Sequence, residues 1–301
     1  MNIVVIGAVA STRILIEELL REHIKINMVF SLDESVSRHV SGYYPLHELA
    51  EKEGIPYTKY KKINEEKNIQ IMRDVKPDYI FAIGFSQLIS KKILDIPTKG
   101  VIGCHPSDLP AFRGRAVLVW QMLLGIKNSN VTMFYMDEGA DSGDIIGKEP
   151  FQIGESDYIS DLLVKTDAAL LRLYKKVIPQ IVNGTLKLEK QDDSKATYCL
   201  KRTPEDGQID WTQSGKDIMR IIRAISHPYP GAFSYYDKEH KIIIWRAHIE
   251  ENKKYYGFPG QIAEIHSDGK MVIITTDGLL VIDECENIDK VKLIAGHRLS
   301  D

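Results

Sequence analysis

His105 and Asp141 are the two residues whose types and surroundings could do chemistry, and that chemistry is proton transfer. Histidine is the one side chain whose ordinary range lets it gain and lose a proton near neutrality, and a carboxylate beside it favours the charged imidazole. His105 lies in Gly103-Cys104-His105-Pro106-Ser107-Asp108-Leu109-Pro110, which runs on to Arg113-Gly114-Arg115. Asp141 lies in Met136-Asp137-Glu138-Gly139-Ala140-Asp141-Ser142-Gly143-Asp144. Taken singly, a histidine near a strand end is more often structural, and an aspartate in a glycine-rich turn usually caps its own backbone. The two loops together are far more specific than either residue and point to general acid–base work.

Such loops need elements to hold them. Apolar runs from Gly100 to Ile102 and from Val131 to Met136 lead into the loops, so two short buried strands should deliver His105 and Asp141 to one sheet edge. Active sites of open α/β sheets form there. Upstream, strand-like runs at Asn2 to Ile6, Ile24 to Ser31, Pro56 to Tyr60 and Tyr79 to Ile83 alternate with helical segments at Ser11 to Leu20, Leu46 to Glu53 and Glu65 to Val75. Ser11 is placed to cap the first helix. The alternation predicts a βαβ domain with a parallel sheet and right-handed crossovers. Gly7-Ala8-Val9-Ala10-Ser11 lacks the three-glycine spacing of a dinucleotide fingerprint, so no nicotinamide cofactor is expected.

A long amphipathic helix follows, marked by Ile159, Leu162, Leu163, Leu170, Leu173, Val177 and Ile181 and ended at Asn183-Gly184. Leu186 to Ala196 is polar and reads as a linker. Beyond a helix at Asp217 to Ile225, five short β-type runs between Phe233 and Cys285 suggest a small barrel. The predicted organisation is a domain over 1–185, a linker over 186–204 and a second domain over 205–301.

At 301 residues and 44% apolar, the chain can bury a core in each of two domains. It enters its first strand directly and no run approaches the ~20 apolar residues of a membrane span, so a cytoplasmic location is expected. Cys104, Cys199 and Cys285 are isolated and show no ligand spacing, so neither a disulfide framework nor a metal site is expected. A net charge of -3 argues against a broad basic surface for gripping nucleic acid, while leaving room for a local basic patch.

On these motifs the chain resembles the enzymes that transfer a formyl group from 10-formyltetrahydrofolate to an amine. That family carries Asn-x-His, a Ser-Leu-Leu-Pro-like stretch, Arg-Gly, and then Asp-x-Gly-x-Asp followed by a small residue and Gly. His105 matches the family histidine and Asp141 the family aspartate at the same interval. The resemblance extends from Asn2-Ile3-Val4-Val5-Ile6-Gly7 through Ala196-Thr197-Tyr198 and Ile209-Asp210-Trp211 to His227-Pro228-Tyr229-Pro230-Gly231-Ala232-Phe233. It implies a Rossmann-like catalytic domain with a parallel-rich sheet, followed by an OB-like β-barrel. One departure is serious: Gly103 stands where the family has its catalytic asparagine.

The resemblance also implies roles. Asp141 would orient His105, which takes the amine proton or, as imidazolium, steadies the oxyanion. Ser107, the imidazolium or an exposed backbone N–H would replace the donor missing at Gly103. The folate would lie against Phe85, Gln87, Leu88 and Ile89 on one side and the backbone of Asp137, Gly139 and Ala140 on the other. Arg113 and Arg115 would lie beside the acceptor, Arg being suited to grip phosphate.

Three acceptors or fates are open. A nucleotide-linked amino sugar comes first, because Leu32 to Tyr44 is short and lacks a basic loop, and because the Arg113-Gly114-Arg115 stretch with Trp120 nearby looks closer to the sugar-modifying branch. Methionyl-tRNA is the alternative. The third reading, raised by Gly103, is a folate-binding protein without turnover.

Overall fold

Most of the apolar runs of the first hundred residues form strands buried on both faces, as a parallel sheet covered by helices requires. The structure is a computed structural model that describes residues 1–85, 87–251 and 254–300. In chain order its elements begin β1 (Ile3–Gly7), α1 (Ala10–Arg21), β2 (Met28–Leu32), α2 (Leu46–Lys52), β3 (Tyr57–Tyr60), α3 (Glu66–Val75), β4 (Tyr79–Ala82), α4 (Lys91–Leu94) and β5 (Gly100–His105). There follow β6 (Arg113–Gly114), α5 (Val117–Leu123), β7 (Asn128–Tyr135), β8 (Ile145–Gln152), α6 (Ile159–Asn183) and β9 (Tyr198–Cys199). These strands give a seven-stranded sheet in the order β3-β2-β1-β4-β5-β7-β8, with β6 and β9 paired separately.

The first five strands of this sheet are mutually parallel, and β7 and β8 are antiparallel additions. That reversal corrects the expectation that the two strands themselves end at one sheet edge. Because β7 runs against β5, with His105 opposite Thr132 and Ile102 opposite Tyr135, β7 exits beside the middle of β5 and not beside His105. The loop after Met136 must double back to bring Asp141 to the histidine. Two smaller corrections concern helix and strand starts. Helix α1 starts one residue before Ser11, with Val9 as an N-cap that contributes no side-chain bond, and β2 starts at Met28 because pairing with β1 begins only there.

Strand β8 was invisible to periodicity, since Gly147, Lys148, Glu149 and Pro150 all weaken a strand signal. Tertiary pairing overrides them. Gly147 lets α6 come close, as a Cβ there would lie 3.2 Å from both Leu173 and Val177. Buried Glu149 accepts from Arg172 at 2.7 Å and also pairs with Lys176, both on α6. Burial alone would raise the pKa of this carboxyl, but the two cations hold it below its ordinary value.

The C-terminal strands are β10 (Ala232–Tyr236), β11 (His240–Glu250), β12 (Ile262–Ile265), β13 (Met271–Ile274) and β14 (Leu279–Glu286), preceded by α7 (Gly215–Ile225). They form an antiparallel sheet in the order β10-β11-β14-β13-β12. Residues 297–300 bond to both edges, through Ile262 N to His297 O at 2.8 Å and Ser300 N to Tyr235 O at 2.9 Å, so the sheet curls towards a small barrel.

By contacts the chain forms two units, one of residues 1–117, 128–152 and 163–200, the other of 118–127, 153–162 and 201–301. The stretch after α6 is stitched into the first unit. Glu189 and Ile145 exchange backbone bonds of 2.7 and 2.9 Å, Arg113 N donates to Thr197 O at 2.8 Å, and β9 pairs with β6. Among the described residues no helix is long and apolar enough to cross a membrane.

Candidate active site

Strand β5 ends in His105, whose ring is almost fully buried. Its Nε2 lies 2.7 Å from the carbonyl of Phe112. A carbonyl can only accept, so the bond requires the proton on Nε2 and leaves Nδ1 as the position that can take or give a second proton. Nδ1 lies 3.7 Å from Asp141 Oδ2. That distance is an electrostatic contact rather than a hydrogen bond, so the Phe112 carbonyl, more than Asp141, orients the imidazole.

Asp141 is held by the backbone. Its Oδ2 accepts from Gly114 N at 2.8 Å. Three non-glycine residues around the site, Phe112, Ala116 and Asp141, have φ of 61°, 53° and 52°. Left-handed backbone at such residues persists only where the surroundings enforce it. The enforcement is visible on the histidine loop: Lys148 donates to Asp108 at 2.7 Å and to Leu109 O at 2.6 Å, Thr132 donates to Ser107 O at 2.6 Å, and Phe112 N donates to Thr197 Oγ1 at 2.8 Å.

Gly114 carries a requirement of its own. Its φ is +106°, and a Cβ would lie 2.4 Å from Cys199 O. Gly114→Ala should therefore lose roughly 1–3 kcal/mol of stability from backbone strain alone and displace the amide that holds Asp141. Urea unfolding checks the first consequence, and unchanged stability would show that β6 and β9 separate without cost.

The residues expected to touch substrate divide into groups. Ser107 is fully buried and its hydroxyl donates to Ala111 O at 2.8 Å, so it faces its own loop. Arg113 is only 2% exposed; its guanidinium bonds Gln191 Oε1 at 2.8 and 3.2 Å and Asp193 Oδ1 at 2.7 Å. That engagement replaces the expected grip on a phosphate. Arg115 is exposed.

On the other side, Phe85 and Ile89 pack partly buried against the core under β1 and β4, together with Met136. Gln87 braces its loop, accepting from Ile63 N at 2.9 Å and donating to Lys61 O at 2.8 Å, while Leu88 is 86% exposed. Ser86 lies outside the described residues. Asp137 Oδ1 accepts from Gly139 N at 2.9 Å and Ser142 Oγ at 2.7 Å, which shapes the turn and leaves Gly139 and Ala140 exposed. Lys91, just past the Phe85–Ile89 loop, bonds Glu138 at 2.6 Å and brings the two loops side by side.

At Gly103 the missing side chain leaves no hole. A Cβ there would lie 3.1 Å from Met136 Cγ, 3.2 Å from Phe134 Cζ and 3.3 Å from Met136 Sδ. Apolar atoms of Met136 and Phe134 crowd that first position.

Gln191 was missed by sequence reasoning, which placed it in a linker. Its Nε2 donates to Asp141 O and Gly143 O, both at 2.8 Å. The only available signal was its position just ahead of the Ala196-Thr197-Tyr198 motif.

A parallel sheet extended by two antiparallel strands, a His–Asp pair at its edge and a small C-terminal barrel define the kind of protein. Residues 1–178 match the family model described as formyl transferase, and residues 201–297 the formyl transferase C-terminal domain. The chain belongs to the formyltransferase family. It is 35% identical over 255 residues to the methionyl-tRNA formyltransferase of Geobacillus sp. (strain WCH70), covering 85% of this chain and 79% of that protein. In fold it is similar to WlaRD, a sugar 3N-formyl transferase in the presence of dTDP and 5-N-formyl-THF, with TM-score 0.69, 19% identity and coverage of 97% and 99% of the two chains. HypX from Aquifex aeolicus in complex with tetrahydrofolic acid gives TM-score 0.69 at 18% identity over 96% of this chain, which spans 44% of that larger one.

Proposed function

We propose that the chain transfers a formyl group from 10-formyltetrahydrofolate to the amine of methionyl-tRNA. The observation that carries the acceptor is the 35% identity to a methionyl-tRNA formyltransferase over most of both chains. It moves this acceptor ahead of the amino sugar that the sequence motifs favoured. The sugar reading keeps the short Leu32 to Tyr44 stretch without a basic loop, and the net charge of -3 agrees with it.

The folate, when bound, supplies the formyl carbon as an electrophile. The surfaces expected to receive it suit a flat ring with polar edges: exposed Leu88 and partly buried Phe85 and Ile89 offer apolar area, and the 137–140 turn offers backbone. His105 then has one task set by its tautomer. With Nε2–H held by Phe112, Nδ1 takes the proton that the amine loses as its bond to the formyl carbon forms, and returns it to the nitrogen whose bond to that carbon breaks. Asp141, 3.7 Å away, stabilises the imidazolium while the proton is held.

The test is folate release from 10-formyltetrahydrofolate with initiator methionyl-tRNA and, separately, with a panel of nucleotide-linked amino sugars. Formylation of the tRNA, falling steeply with added salt as phosphate contacts are lost, is the expected result. Activity on a sugar alone overturns the acceptor, and silence with all of them overturns the transfer.

A further inference from the structure

We propose that Gln191 is a positioning residue that sets the Asp141 carboxylate against His105, a role that rests on the reading of His105 and Asp141 as the acid–base pair.

Asp141 sits in left-handed backbone, at φ 52°. A residue with a side chain keeps this conformation where its surroundings hold it there. Gln191 supplies it, since its side-chain amide donates one N–H to the carbonyl of Asp141 and the other to that of Gly143, each at 2.8 Å. Both donors of the amide are thereby used on the turn that carries the carboxylate.

The amide cannot turn over. Its oxygen accepts from Arg113 Nε at 3.2 Å and from the terminal NH2 of Arg113 at 2.8 Å. Rotated by half a turn, it would set N–H groups against guanidinium donors and an oxygen against two carbonyls. Arg113 is fixed in turn by Asp193 at 2.7 Å and by the Tyr198 hydroxyl at 3.4 Å.

Arg113 and Gly114 therefore grip one loop twice. Gly114 N holds the carboxylate directly at 2.8 Å, and Arg113 holds the backbone beneath it through Gln191. The stretch after α6 thus completes the site. A carboxylate in contact with the imidazole at 3.7 Å, without a hydrogen bond between them, depends for its placement on the frame around it.

The test uses two replacements in the full chain. Gln191→Glu keeps an oxygen for Arg113 but removes both N–H donors and sets a charge against two carbonyls. Gln191→Met keeps the length and removes every polar contact. Both should lower kcat by about 10- to 100-fold, the range expected for a misplacement of about 1 Å, with KM for 10-formyltetrahydrofolate essentially unchanged. Made in an Asp141→Asn background, Gln191→Glu should have no further effect on kcat, because the group it positions is gone. Equal losses in both backgrounds, or full kcat in Gln191→Glu, would overturn the proposal. The 15N resonance of His105 Nδ1 gives a readout free of turnover and should move in Gln191→Glu. If the native protein releases no folate with any acceptor, the functional reading fails, and an unmoved Nδ1 resonance then overturns the positioning role independently.

Discussion

His105→Ala should lower kcat for formyl transfer by about a hundred- to ten-thousandfold, the range over which positioned acid–base groups act. The imidazole is nine-tenths buried, its Nε2 is committed to Phe112 and its Nδ1 faces Asp141, so one nitrogen is left to exchange protons. Removing the ring also leaves the carbonyl of strained Phe112 without that partner. A melting curve must therefore accompany the kinetics, to separate lost chemistry from lost structure. Asp141→Asn should cost less, because the carboxylate acts on the imidazole through space. A His105→Ala protein that melts like the parent and keeps a tenth of its rate would remove His105 from the chemistry.

Gly103→Asn is the second large effect, and it should raise the rate. Loss of one oxyanion donor costs about a hundred- to a thousandfold, so restoring the amide should recover at least a tenfold gain in kcat. The backbone permits the change, since Gly103 lies within β5 in ordinary strand geometry. The space is contested, because a Cβ there meets Met136 and Phe134 at 3.1 to 3.3 Å. Met136 is unbranched and can yield, as methionine does in irregular gaps. Gly103→Ala is the control, adding bulk without an amide, and should give no gain. If asparagine and alanine both slow the reaction, the packing of Met136 against Gly103 is itself the requirement, and the oxyanion is held by another group.

These expectations draw on features of unequal visibility in the sequence. The β1 to β5 framework was legible because a doubly covered parallel sheet needs continuous apolar strands, and IVVIG at Ile3–Gly7 or YIFA at Tyr79–Ala82 has few alternatives. The His105 and Asp141 loops were legible because their residue types are unusual together. What failed was strand direction, since alternation fixes which face a residue occupies but says nothing of whether β7 runs with β5 or against it. Strand β8 failed because its Glu149 is buried only by virtue of Arg172 and Lys176, two residues far along the chain. Arg113 and Gln191 were misjudged for the same reason. An arginine beside glycine looks like a phosphate grip and a glutamine in a polar run looks solvated, until the fold sets them 2.8 Å apart.

The bond from Gly114 N to Asp141 Oδ2 also gives the site a native indicator. An amide proton donated to a carboxylate senses the charge it faces, because a charge-assisted bond is shorter and stronger than a neutral one. Its partner here is a main-chain group, present whatever side chains surround it. The Gly114 amide resonance therefore follows the placement of the Asp141 carboxylate from inside the molecule, and ligand binding or a remote substitution that disturbs the pair can be read there without attaching a probe.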